Sequence, residues 1–144
     1  MKHIALAVLL LTGCAKIEGE WEVTDYKVHA CFNGICNTAK LPGPYMGCDT
    51  SVKGYATFND GNAVIDVAVN AKCKGRPEFY EHWVVYSGDY EAKDGMLVLT
   101  KMGEAVKFII SFGGPDTLTL KHSYNLHNST ITTEINLRRF KEQK

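Results

Sequence analysis

The 144-residue sequence predicts an all-β fold, an eight-stranded antiparallel up-and-down barrel. Three observations point there. Beyond residue 14 hydrophobicity alternates with period two, the strand signal, and no helical pattern longer than two turns survives. Short breaks rich in Gly, Asp and Asn separate the runs, so sequential strands pair antiparallel. Finally, an open eight-strand sheet would leave two hydrogen-bonding edges bare, whereas pairing the last strand with the first removes both.

Gly19–Val28 opens the set of strands, and Lys53–Asn59 and Asn62–Ala71 flank Asp60-Gly61, a pair suited to the positive φ of a two-residue hairpin. Phe79–Tyr90 and Met96–Lys101 flank Lys93-Asp94-Gly95, and Ala105–Phe112 and Thr117–Tyr124 flank Gly113-Gly114-Pro115-Asp116. Thr130–Phe140 follows the polar loop Leu126-His127-Asn128-Ser129. Inward faces read as Ile65, Val67 and Val69; Val106, Phe108, Ile110 and Phe112; Leu118 and Leu120; and Ile131, Ile135 and Leu137. Trp83 and Val85 are ambiguous, because a bulge would move Trp83. Small residues Gly54, Ala56 and Ala63 are expected to leave room inside the barrel.

Composition excludes several classes. Lys plus Arg and Asp plus Glu are 16 each, so there is no basic excess for nucleic acid. Hydrophobic residues at 45% and charged residues at 22% describe an ordinary globular chain. The sequence holds no Gly-x-Ser-x-Gly elbow, His-Glu-x-x-His pair or phosphate-binding loop, so catalysis is not expected. Glu81 and His82 are adjacent on a strand, point to opposite faces and form no dyad.

The first residues carry an address. Lys2 precedes a short apolar run, Ile4 to Leu10, too short to span a bilayer. Leu11-Thr12-Gly13-Cys14 resembles the lipobox of bacterial lipoproteins. The resemblance implies cleavage before Cys14, acylation of its thiol, and anchoring by more than one acyl chain. Ala15, rather than Asp, after the cysteine favours the outer membrane. Residues 1–13 are thus expected to be a signal peptide, 14–18 a tether, 19–140 the barrel and 141–144 a tail.

Gly19-Glu20-Trp21 on the first strand and Leu137-Arg138-Arg139 on the last resemble the lipocalin superfamily signature. The pattern is most similar to small bacterial lipocalin-like lipoproteins. The resemblance implies a plugged barrel end where an arginine covers Trp21. Arg139 is in phase with Ile131, Ile135 and Leu137 and is assigned that role instead of Arg138. The family's second motif, Thr-Asp-Tyr before the seventh strand, is missing, and Thr24-Asp25-Tyr26 carries its letters in the wrong strand.

Cys31, Cys36, Cys48 and Cys73 form an even set in an exported chain, with three connectivities open. Their spacing lacks the close ligand pairs of a structural zinc site, and no metal or other cofactor is expected. An Asp60-Gly61 hairpin pairs residues whose numbers sum to 121, which sets Cys48 opposite Cys73 at a narrow, non-hydrogen-bonded position. Cys31–Cys36 follows by elimination. The long connection from His29 to Val52 then reads as a disulfide-pinned lid over the barrel mouth, with Leu41–Tyr45 dispensable for folding. His122 and Tyr124 face the mouth and are candidate ligand contacts. These features predict non-catalytic binding of a small apolar ligand by a membrane-anchored protein. The alternative is a protein-interaction module whose lid and mouth loops bind an envelope or host protein.

Overall fold

The computed structural model describes residues 16–141; residues 1–15, with the expected signal peptide and Cys14, lie outside them, as do residues 142–144. Ten strands form one sheet: β1 (Gly19–Phe32), β2 (Ile35–Leu41), β3 (Gly43–Tyr45), β4 (Cys48–Asn59), β5 (Asn62–Cys73), β6 (Phe79–Lys93), β7 (Met96–Lys101), β8 (Glu104–Gly114), β9 (Thr117–Leu126) and β10 (Ser129–Arg139). Eight of them close an antiparallel barrel. β4 to β10 pair in sequence, β10 pairs with β1, and the start of β1 pairs with the end of β4, from Gly19↔Phe58 to Glu22↔Tyr55.

Past Glu22 and Tyr55 the β1–β4 ladder ends, and two strands outside the barrel take up the freed edges. β2 pairs with β1 from Tyr26↔Leu41 to Phe32↔Ile35, and β3 pairs with the first residues of β4. This corrects the reading of His29–Val52 as a lid. The segment is largely strand and closes the side of the barrel. Its turns have a simple cause: Asn33-Gly34 and Met46-Gly47 take positive φ at both positions (50° and 80°; 48° and 77°), the same hairpin chemistry as Asp60-Gly61. Leu41 is fully buried and Tyr45 packs against the core, so Leu41–Tyr45 is part of the fold.

The β4–β5 register runs unbroken from Cys48↔Cys73 to Asn59↔Asn62, and the Cys48–Cys73 disulfide joins its top rung, with Cα atoms 4.2 Å apart. Cys31–Cys36 joins facing residues of β1 and β2 at 4.0 Å.

The core fills the end where β1 begins. Trp21, Phe58, Ile65, Leu97, Phe108, Leu118, Leu120 and Ile135 are buried there or just above. Gly54, Ala56 and Ala63 leave no room. Ala56 and Ala63 are buried, and a Cβ on Gly54 would sit 2.2 Å from the Asp66 carbonyl oxygen, so glycine is needed for the close approach of β4 and β5. In β6 the register shifts between Val84, opposite Val67, and His82, opposite Ala68. Trp83 is the extra residue of this bulge and packs on the core, while Val85 is exposed.

Candidate functional site

The two barrel ends differ in chemistry. At the plugged end the Arg139 guanidinium lies 4.2 Å from the Trp21 ring centroid. Its Nη1 donates to the Glu18 carbonyl and its Nη2 to the Lys16 carbonyl, each at 3.0 Å, and Nε donates to the Pro115 carbonyl at 3.3 Å. The Trp21 indole N–H donates to the Ile17 carbonyl at 2.7 Å. Ile17 is itself buried, and Arg139 holds the backbone carbonyls on either side of it, so residues 16–18 are fixed to the plug although the Lys16 and Glu18 side chains are exposed. Arg138 points the other way and pairs with Glu22 on the outer face.

At the opposite end a set of aromatic rings lies among the inward-facing Val28, Val52 and Val69. His122 on β9 faces Phe108 on β8, with ring centroids 5.3 Å apart, and stacks with Tyr124 at 5.6 Å. Phe108 in turn meets the edge of Tyr86 on β6 at 5.7 Å. On the other side of the mouth, Trp83 takes edge contacts from Tyr26 on β1 at 6.1 Å and Tyr45 on β3 at 5.8 Å. His122 Nδ1 lies 2.8 Å from the Lys107 carbonyl. A carbonyl only accepts, so Nδ1 carries the proton and neutral His122 keeps its lone pair on Nε2.

Three of the four phenols in this mouth, those of Tyr26, Tyr86 and Tyr124, lie near one another. Burial pushes Tyr26 up to about 12, with the nearby Tyr86 and Tyr124 adding to it. Tyr86 is raised by burial and then by Tyr124. Among the described residues no hydrogen bond reaches these three hydroxyls, and no side-chain polar atom is both buried and unpaired. The hydroxyls therefore open on solvent-connected space, where they can donate to a guest.

The hairpin tips around this mouth each expose apolar side chains: Phe32 and Ile35, Met46, Phe79, Met102, and Leu126. The tips at the plugged end are polar, with Asp60, Asp94 and Asp116. A shallow cleft of about 650 Å³ also marks the seam where β1 and β4 part, between Trp21, Val23, Val52, Tyr55 and Phe140.

Of the sequence-predicted residues, Trp21 and Arg139 come together at one end and His122 and Tyr124 at the other. Sequence reasoning missed Tyr26, Tyr45 and Tyr86 as members of the mouth. It also missed a contact of His82, whose Nδ1 lies 2.6 Å from Asp66 Oδ1 on the outer face, a cross-strand pair invisible from sequence distance.

The fold is that of a lipocalin-like β-barrel, closed by eight antiparallel strands, with two further strands outside it. Comparisons with protein-family models, curated proteins and solved structures give no significant match to this chain.

Proposed function

We propose that this chain is a lipid-anchored protein of the bacterial envelope, held to the outer membrane through Cys14. In this reading its barrel mouth binds a small, planar, mainly apolar ligand without catalysis. The observation that carries the binding reading is the aromatic mouth. Tyr26, Trp83, Tyr86, His122 and Tyr124 offer flat apolar faces, three phenol donors and one imidazole acceptor. The filled lower barrel supports binding at the mouth over binding deep inside.

The anchor rests on the Leu-Thr-Gly-Cys pattern. Arg139 holds Lys16 and Glu18 at the plugged end. Two residue steps from Cys14 to Lys16 then span at most about 7 Å, which favours a mouth facing away from the bilayer.

Titration with the neutral planar probe N-phenyl-1-naphthylamine tests the binding. Saturable one-to-one enhancement, with quenching of Trp83 emission, is the expected result. Tyr124→Ala and Tyr86→Ala should each weaken it at least about tenfold, the worth of about 1.4 kcal/mol. Non-saturating uptake, or equal uptake by the variants, would overturn the reading.

The apolar rim favours a second reading, a protein partner seated on the hairpin tips. Met46 and Met102, 84% and 94% exposed, are its most prominent residues. Met46→Ser with Met102→Ser would abolish such a complex and leave the probe titration unchanged.

A further inference from the structure

On the outer face of the β1–β2 hairpin, four side chains meet across the ladder. His29 faces Thr38 and Cys31 faces Cys36. Tyr26 and Val28 turn to the core, so His29 and Cys31, in the opposite phase, share the solvent side. The imidazole Nε2 lies 3.3 Å from Cys31 Sγ, and Nδ1 lies 2.6 Å from Thr38 Oγ1. One imidazole nitrogen and the two sulfurs all fall within 4.8 Å of one another.

We propose that His29, Cys31 and Cys36 form a redox-gated site for a thiophilic divalent ion of the zinc class. The proposal does not depend on the ligand reading. In the oxidised chain both sulfurs are spent on the Cys31–Cys36 bond, and neither is a thiolate able to bind metal. A dithiol reductant opens the site. One of its thiolates attacks Cys36 Sγ, Cys31 leaves as thiolate, and the second reductant thiol resolves the mixed disulfide. The protein gains two electrons and two protons, and the reductant becomes a disulfide. Zinc then takes both thiolates and releases the two protons.

The geometry suits the ion. With zinc–sulfur bonds of about 2.3 Å, two tetrahedral thiolates sit about 3.8 Å apart, a small opening from facing β-carbons on adjacent strands. When Nδ1–H donates to the Thr38 hydroxyl, Nε2 presents its lone pair on the Cys31 side. Metal-bound histidines are characteristically held by such a hydrogen bond at the other ring nitrogen. Three protein ligands leave the fourth position open to water or another donor. Cys36 and His29 are exposed, so reductant and ion both have access. The hairpin does not depend on the disulfide alone, because seven residue pairs hold β2 to β1 and Leu41 anchors its end in the core.

Cobalt(II) titration of the full chain, reduced with a phosphine, reads the site directly. The reduced chain should bind one equivalent, with thiolate-to-cobalt charge-transfer and tetrahedral d–d bands that zinc abolishes. The oxidised chain should show neither. Cys36→Ser should lose the charge-transfer intensity, His29→Ala should weaken binding at least about tenfold, and Thr38→Val should weaken it about tenfold or more. These variants keep Cys14, Cys48 and Cys73, so bands that persist unchanged in them place the metal elsewhere and overturn the proposal. No binding by the reduced chain, equal binding by the oxidised chain, or loss of the β circular-dichroism signal on reduction would overturn it as well.

Discussion

Arg138 and Arg139 are neighbours of the same type with opposite duties, decided by strand alternation. Arg138 projects outward to an exposed partner, Glu22, and such surface pairs contribute about 0–1 kcal/mol. Arg139 turns toward the barrel end, where three carbonyls from residues 16, 18 and 115 converge on its guanidinium above the Trp21 ring. Charge-assisted hydrogen bonds and cation–π attraction together make it worth several times more. Lysine has a point charge and no planar fork, so it cannot satisfy the same set. Arg139→Lys should therefore lower the free energy of urea unfolding by about 2 kcal/mol, and Arg138→Lys by less than about 0.5. Equal losses would show that the plug is held by Trp21 packing alone.

Among the elements, β2 and β3 decide whether the seam between β1 and β4 is wall or opening. Leu41 enters the core from outside the eight-strand ladder, and Tyr45 reaches Trp83. Leu41→Ala should cost about 2–5 kcal/mol, the range for a buried leucine. Met46→Ala, at an exposed tip of the same segment, should stay within about 0.5 kcal/mol; chemical denaturation of the two variants separates wall from lid. The eight barrel strands were legible because their alternation is regular and Asp-Gly turns punctuate it. Asn33-Gly34 carried the same turn signal, but the unpatterned residues Asn37–Lys40 and two prolines hid the strands beside it. At the mouth, His122 and Tyr124 were legible because β9 alternates without interruption from Leu118. Trp83 was not, since one bulge residue in β6 reverses the phase of everything above it. Tyr45 was not, because β3 meets the mouth from beyond the barrel closure.

At the scale of the whole molecule, the barrel divides into a packed, plugged half and an aromatic, open half, and alkaline pH should act on the second. Tyr26 is raised from 10.0 to about 12, chiefly by burial and then by Tyr86 and Tyr124; Tyr86 is raised in the same direction. The neutral phenol is thus favoured in the folded chain. Below pH 10 both states hold the Tyr26 proton, and stability does not depend on it. Between pH 10 and about 12 the unfolded chain releases that proton while the native chain keeps it, so stability falls as pH rises. The loss attributable to Tyr26 is about 2 kcal/mol, after allowing for solvent at the mouth. Phenylalanine fills nearly the same volume and cannot ionise. Every other ionisable group is common to the two chains, so the informative quantity is the difference between two curves. Unfolding free energies of the native sequence and Tyr26→Phe should run parallel up to pH 10 and converge or cross above it, with the native sequence falling more steeply. Curves that remain parallel to pH 12 would mean that the Tyr26 hydroxyl is solvated as in the unfolded chain, and the mouth would then be too wet to hold an apolar guest.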